Sequence, residues 1–471
     1  MSESHENANE HQDENQSVLR FERMLKNDEF YFFDVDEFED LIDHYIESGN
    51  PKNALMAVEM GCEQHPSAFS LLLYKAQLLA STHKPRKALE VLNRVEAAEP
   101  NNIDVLLIKG TVYSQLREYR KAIDSYRMAI PLATKIEKED IFLSMAFEFE
   151  NLDEHNLAIK YLRKALDLNP ENETALYEIG FCYEIEEHCE DGISFFENFI
   201  NEYPYSHAAW YNLGLLFSKL HLYEKALDCF DYTLVIKEEF SSAWFNKANC
   251  FHKMERYSEA IEAYKKNLEI DIVDGTTFFQ IASCYEEIDD LESAMKYYHK
   301  SIAADPYFSD AFLNLGFLYE ELGRLNEGIH YIKKAMELDP KQVDYLLAYG
   351  SLQIRMGFFQ EAFQAMEEII KLQEDNEDVW SVYTHGLYMS GDKPSAYNLI
   401  RKAIELFPNN ALNYYIFAAI NFGDGKKTEA LEELENGLCV NAKQSHRFFS
   451  FYSKGKNDLE ILELIAKYNE I

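Results

Sequence analysis

No stretch of this 471-residue chain approaches 18 uninterrupted apolar residues, which predicts that no helix spans a membrane. The opening run MSESHENANEHQDENQ has neither a basic start nor an apolar centre, so no secretory leader is expected and the expected location is cytoplasmic. Positive charge is scarce: 45 Lys plus Arg stand against 83 Asp plus Glu, a net charge of −38. That balance repels polyphosphate and argues against non-specific binding to nucleic acid or to an anionic membrane. A basic or neutral protein partner fits it better, although the same acidity also keeps an extended surface soluble. The seven cysteines are odd in number and show no disulfide-like clustering. They are expected to be packing thiols in a reducing compartment.

Catalytic signatures are missing as well. There is no Gly-x-Ser-x-Gly, no His-Glu-x-x-His and no glycine-rich dinucleotide loop. The run from Gly423 to Thr428 lacks the glycine spacing and the preceding strand of a phosphate loop. Cys182, His188 and Cys189 fall on the body and end of one helical stretch with no second ligand cluster after them. No metal, no cofactor, no catalytic residue and no enzymatic activity are therefore expected.

What the chain has is a period. From His207 to Phe240, Trp210, Leu213, Gly214 and Phe217 occupy one half and Ala226, Phe230 and Thr233 the other, each half at helical spacing. Residues 221 to 223 leave room only for a short turn, so the two helices fold back as a hairpin. The Ala226 slot recurs in steps of 34 as Ala54, Ala88, Ala122, Ala158, Gly192, Ala260, Ala294, Gly328, Ala362, Ala396 and Ala430. One step alone differs, from Ala122 to Ala158, which is 36 and marks a two-residue insertion. A second slot holds Gly110, Gly180, Gly214, Gly316 and Gly350, with Ala76, Ala146, Ala248, Ala282 and Ala418 in the same place. A third holds Phe142, Trp210, Trp244, Phe278, Phe312, Trp380 and Tyr414. A small residue on each helix lets two axes approach closely, and a large neighbour fills the space left beside the crossing.

The order Trp, Leu, Gly, aromatic, then Ala, aromatic, small, over 34 residues, resembles the tetratricopeptide repeat. The resemblance covers about twelve units and implies an all-α fold, a right-handed α-solenoid superhelix of helix hairpins. The expected organisation is a disordered acidic tail over 1–17, a leading helix and aromatic strip over 18–34, repeats one to three over 35–138, repeats four to twelve over 139–444, and capping helices over 445–471. The strip Phe30 to Phe33 with Val35 and Phe38 suits either docking of a partner or packing on the open end of the first repeat. Pro51 and Pro85 open second helices, and Gly49, Gly323, Gly357, Gly391 and Gly425 share the turn slot, where a left-handed conformation is expected. Pro131 is placed in the last turn of the third repeat's second helix, which predicts a kink around 131 to 138.

In arrays of this family the first helices line a concave groove, and residues two before the glycine slot face into it. Here that slot gives Asn212, Asn246, Gln280 and Asn314, which resembles the asparagine ladder of some arrays. Carboxamides can pair with the backbone of an extended peptide without demanding particular side chains. One residue earlier stand Tyr177, Tyr211, Phe245 and Phe279, an aromatic stripe suited to apolar side chains or to ordinary repeat packing. Asp310, Asp344 and Asp378 recur near the starts of first helices, acidifying the groove or stabilising helix N-termini. Family members that grip a terminal carboxylate use Lys, Arg and Asn in these slots; aromatics, Ser, Thr and Asp stand there instead. The expected function is a non-catalytic scaffold or adaptor holding a peptide or helical segment of a partner protein. The alternatives are a structural self-assembly module or a targeting subunit of a larger enzyme complex.

Overall fold

The computed structural model describes residues 16–26, 30–185, 187–270, 274–373 and 375–469. Among them every regular element is helical, and twelve successive helix pairs run from Val35–Glu47 with Pro51–Gln64 to Ala411–Gly423 with Lys427–Asn441. The fold is an all-α solenoid. The chain divides into two compact units, Met1–Cys250 and Phe251–Ile471, with the boundary inside the helix Ser241–Lys253.

The hairpins close where the small slots predict. Every member of the Ala226 series that is an alanine is fully buried. A Cβ added to Gly110 would lie 2.3 Å from the Tyr126 ring, one added to Gly214 would lie 2.7 Å from Phe230, and one added to Gly316 would lie 2.7 Å from Ile332. At Gly110, Gly214, Gly316 and Gly350 the large residue that fills the glycine slot thus comes from the second helix of the same hairpin, four positions after its small residue, whereas Gly180 is filled from the next repeat. In the third slot three aromatics that carry a donor do something else: they reach back six residues to the turn before their own helix. Trp210 Nε1 donates to Pro204 O at 2.9 Å, Trp244 Nε1 to Glu238 O at 3.0 Å, and the Tyr414 hydroxyl to Pro408 O at 3.1 Å.

The turn inside each hairpin is closed by one left-handed residue. The five glycines of that slot have φ between +68° and +94°. The other seven hairpins use His83, Arg117, Asp153, Glu187, His221, Glu255 and Asp289, all at φ near +60°. In eleven of the twelve hairpins the next residue's N–H returns to a carbonyl five positions back, as in Lys84 N to Leu79 O and Glu118 N to Tyr113 O, both 2.8 Å. These bonds satisfy the carbonyls left open at the end of the first helix.

Pro131 does not kink a helix. The second helix of the third repeat, Tyr119–Ala129, ends before it, and the following first helix is lengthened to Lys135–Glu150. Thr134 and Glu137 form a capping box at that start, so the extra residues are absorbed by an early helix start.

Residues 1–15 of the expected tail lie outside the described residues, but Ser17 does not belong to a tail. It lies in a helix over 16–26, is buried, and donates to Glu37 Oε1 at 3.3 Å. The strip that follows alternates: Phe33 is fully buried against Phe21 and Phe38, while Phe30 and Phe32 are 78 % and 62 % exposed. Gln64 holds its backbone, donating to Tyr31 O and accepting from Phe33 N. At the other end, Phe448, Ile461 and Ile465 pack on Tyr415, Leu434 and Leu438, covering the last hairpin.

Candidate protein-interaction surface

The groove slots lie on the first helices, and each unit presents its own set. In the first unit Tyr177, on Glu173–Ile185, meets Tyr211, on His207–Lys219, edge to face with ring centroids 6.1 Å apart. Tyr211 also packs on Phe240 at 4.9 Å. Its hydroxyl accepts from Asn246 Nδ2 at 2.9 Å, and the same amide donates to Ser242 O at 3.0 Å. Asn246 is half-buried, and its Oδ1 has no hydrogen bond among the described residues. Burial raises both tyrosines, Tyr177 to about 12. They are neutral hydroxyls at any physiological pH.

Asn212 is placed differently from its neighbours in the ladder. It is 3 % exposed, its Nδ2 donates to Ala208 O at 2.8 Å, and its Oδ1 fills the space over Gly180, where an added Cβ would lie 2.2 Å away. The pairing of a glycine with an asparagine one repeat later makes this carboxamide a packing residue. The slot before it belongs to Glu178, which the sequence reading passed over. Glu178 is half-buried, and burial raises its carboxyl. Its charge, after burial itself, helps push Glu150 up to about 7, while Cys182 Sγ donates to Glu150 Oε1 at 3.5 Å. An acidic patch therefore adjoins the tyrosine pair. The period does mark Glu178, which stands 34 residues before Asn212, but its carboxylate interrupts the carboxamide series. Phe245 is half-buried on Ser241–Lys253.

In the second unit Phe279 packs on Tyr298 at 5.5 Å and on Phe308 at 5.0 Å. Asn314 Nδ2 donates to the Tyr298 hydroxyl at 3.3 Å, which itself donates to Glu286 Oε2 at 2.8 Å. Tyr298 thus joins one aromatic and one carboxamide of the expected site. Burial, followed by Glu286, raises Tyr298, and burial raises Glu286 in turn. Gln280 is half-buried without a hydrogen bond among the described residues. The three aspartates are exposed. Asp310 Oδ1 accepts from the Tyr345 hydroxyl at 2.6 Å, which holds that hydroxyl, pushed up to about 12 chiefly by burial, against the helix start. Asp344 and Asp378 stand in the first turns of Val343–Met356 and Glu377–Ser390, where a negative charge offsets the positive end of the helix dipole.

Among the described residues no group of three His, Cys, Asp or Glu is placed to hold a metal, and no helix is long and apolar enough to cross a membrane. The surface offers aromatic edges, amide groups and shared carboxylate charge, which suit another polypeptide.

Profiles of the tetratricopeptide repeat match residues 140–172, 241–271, 276–308 and 309–342, in register with the hairpins. The chain is a tetratricopeptide repeat protein. Residues 342–388 of this tetratricopeptide repeat protein also match the profile of anaphase-promoting complex subunit 5. No curated protein sequence matches the chain. Among solved structures it is similar to the APC/C hetero-tetramer Cut9-Hcn1, at 14% identity over 87% of this chain and 93% of that one, TM-score 0.40. It is similar to YrrB, described as a tetratricopeptide repeat protein with an unusual peptide-binding site, at 20% identity over 39% of this chain and 95% of that one, TM-score 0.33. A tetratricopeptide repeat protein from Parabacteroides merdae ATCC 43184 is 13% identical over 53% of this chain and 99% of its own, TM-score 0.40. Repeats of this family form protein-interaction scaffolds, and the coarse role of this tetratricopeptide repeat protein is the same.

Proposed function

We propose that this chain is a non-catalytic cytoplasmic scaffold or adaptor that holds a peptide or helical segment of a partner protein in the groove lined by its first helices. The observation that supports it most is the set formed by Tyr177, Tyr211 and Asn246. Two neutral aromatic edges stand beside an amide whose Oδ1 remains open to a backbone N–H. Glu150 and Glu178 beside them favour a partner segment with a basic residue, as does the net charge of −38. In the second unit Gln280, Phe279 and Asn314 would serve in the same way, while Asn212 serves packing.

The test begins with partners recovered from native lysate by pull-down and mass spectrometry. A recovered partner should bind the triple variant Asn246→Ala, Gln280→Ala, Asn314→Ala at least about tenfold more weakly, a loss of about 1.4 kcal/mol. The melting temperature should stay within about 3 °C. Undiminished affinity would remove the carboxamides from the mechanism.

A second reading, a subunit of a larger enzyme assembly, is favoured by the match of residues 342–388 to an anaphase-promoting complex subunit. On that reading the pull-down returns a stoichiometric set of co-purifying chains rather than a single exchangeable partner.

A further inference from the structure

Two cavities of the first unit share a wall, and the first borders the tyrosine set through Glu173, whose charge acts on Tyr177, and through His207, which packs on Phe240 at 5.4 Å. One, of 450 Å³, lies between two consecutive inter-repeat turns and is lined by Pro170, Glu171 and Glu173 of one and by Glu202, Tyr203, Pro204, Tyr205 and His207 of the next. The other, of 650 Å³, runs between the second helices His155–Leu168 and Cys189–Glu202 over Phe195 and Phe199, and it too is bounded by Glu202 and Tyr203. The rings Phe195, Phe199 and Tyr203 follow one another along this line at 6.0 Å and 4.8 Å.

The first cavity has the chemistry of a seat for a cation. Tyr205 is 84 % exposed at its mouth. The Glu171 and Glu202 carboxylates have no ion-pair partner among the described residues. Glu173 Oε2 and Lys237 Nζ lie 3.5 Å and 3.2 Å from His207 Nε2, and burial, reinforced by Lys237, outweighs the pull of Glu173 and holds that imidazole below its ordinary pKa. The two helix starts beside the cavity do not cancel this charge. Asn172 accepts from Ala175 N and Ser206 from Ala209 N, so those N–H groups are spent. A helix N-terminus amounts to about half a positive charge, so the two helix starts together with the Lys237 ammonium beside His207 still fall short of the negative charge on the three carboxylates. Walls of tyrosine with carboxylates at the rim bind a guanidinium or ammonium group through both ring face and charge.

The second cavity has an apolar strip, Leu166, Phe195 and Phe199, flanked by Arg163, Asp167 and Asn198, and its own cation is committed elsewhere. Arg163 lies over the Phe195 ring at 4.7 Å and donates to the Tyr183 hydroxyl at 2.6 Å. From the shared wall and the complementary charge we infer that the inter-repeat turns 170–173 and 202–207 form a second docking site, for a partner segment that places a Lys or Arg between the turns and an adjacent apolar side chain over Phe195 and Phe199. The site goes beyond the first-helix groove, which it borders at Glu173 and His207, and its own contacts are Glu171, Glu202 and Tyr205. The net charge of −38 disfavours a nucleic acid as the occupant.

A phage-displayed random dodecapeptide library, selected on the full chain and then screened against the variant Glu171→Gln, Glu202→Gln, Tyr205→Ala, tests this directly. All three positions are exposed, so the melting curve of the variant should overlay that of the parent. The expected result is a class of peptides that lose at least tenfold in affinity on the variant, are unaffected by Asn246→Ala, and carry Lys or Arg next to Leu, Ile, Met or Phe. The inference is overturned if no selected peptide distinguishes parent from variant, if the site-dependent peptides lack a basic residue, or if Asn246→Ala abolishes their binding as well.

Discussion

Cys284 Sγ lies 3.7 Å from His252 Nδ1, joining the residue two after the small slot of one first helix to the residue four after it in the preceding repeat. The same geometry puts Cys250 Sγ 3.6 Å from Ser218 Oγ and Cys182 Sγ 3.5 Å from Glu150 Oε1. These thiols therefore sit in the seam between repeats. Burial pushes Cys284 and Cys229 up to about 12 and raises Cys250 and Cys189. Since the thiolate is the reactive form, they are inert.

Cys439 is the one exposed thiol among the seven. A disulfide reagent such as Ellman's at pH 8 should modify a single cysteine quickly in the native chain and the remainder only on unfolding. Cys439→Ser should abolish the fast phase. A fast phase of two or more thiols would show that the seam opens in the native state.

Glu150 makes stability depend on pH. Its carboxyl is pushed up to about 7 from its ordinary 4.5, first by burial and then by Glu178. Between these two values the folded chain binds more protons than the unfolded one, so this group's contribution falls as pH rises through the window. Partial solvent exposure screens the effect, leaving about 1–2 kcal/mol. Glu150→Gln should therefore unfold at higher urea than the parent at pH 8, and the gap should narrow towards pH 5. A gap independent of pH would show that the carboxyl titrates normally.

Gly180 and Asn212 should be coupled. Alanine in place of a helical glycine ordinarily stabilises by about 1 kcal/mol, but here the added methyl would lie 2.2 Å from Asn212 Oδ1. Overpacking of this kind costs about 1–3 kcal/mol, and Asn212 is pinned by its bond to Ala208 O, so Gly180→Ala should be destabilising. In the background of Asn212→Ala the same substitution should become neutral or stabilising. A double-mutant cycle by urea unfolding measures the coupling, and strict additivity would contradict the close approach.

Arg117 occupies the hairpin turn at φ +59° and is exposed. The left-handed conformation costs an L-residue about 1–2 kcal/mol, while glycine adds about 0.4–1 kcal/mol of unfolded-state entropy. Arg117→Gly should then stabilise the chain by about 0.5–1 kcal/mol, and Gly323→Ala, at φ +73°, should cost a similar amount. Chemical unfolding decides the sign.

The turns show where the sequence stopped being legible. Glycine marked five of the twelve left-handed positions, and the other seven carry His, Arg, Asp or Glu. Residue type hid them because the bond from the next N–H back to the first helix fixes the turn whatever side chain it holds. Pro131 was misplaced for a related reason. A capping box at Thr134 can start the next helix early, so the insertion needs no kink. In the groove, the ladder positions were readable as a period, but Asn212 and Asn246 are the same residue in the same slot with different roles. Gly180 in the preceding repeat leaves a hole for the first, whereas Tyr211 offers the second a hydroxyl.

The sequence by itself determined the repeat: spacing of small and large residues dictates which helix faces can approach, and that is a local property repeated every 34 positions. Only the tertiary structure decided which polar groups are consumed between neighbouring repeats and which remain open. A hydrogen bond depends on the rotamer and on the partner delivered from the adjacent hairpin, neither of which the period encodes. For the same reason the cavity between residues 170–173 and 202–207 appears only once two turns, 34 residues apart in the chain, are stacked in space.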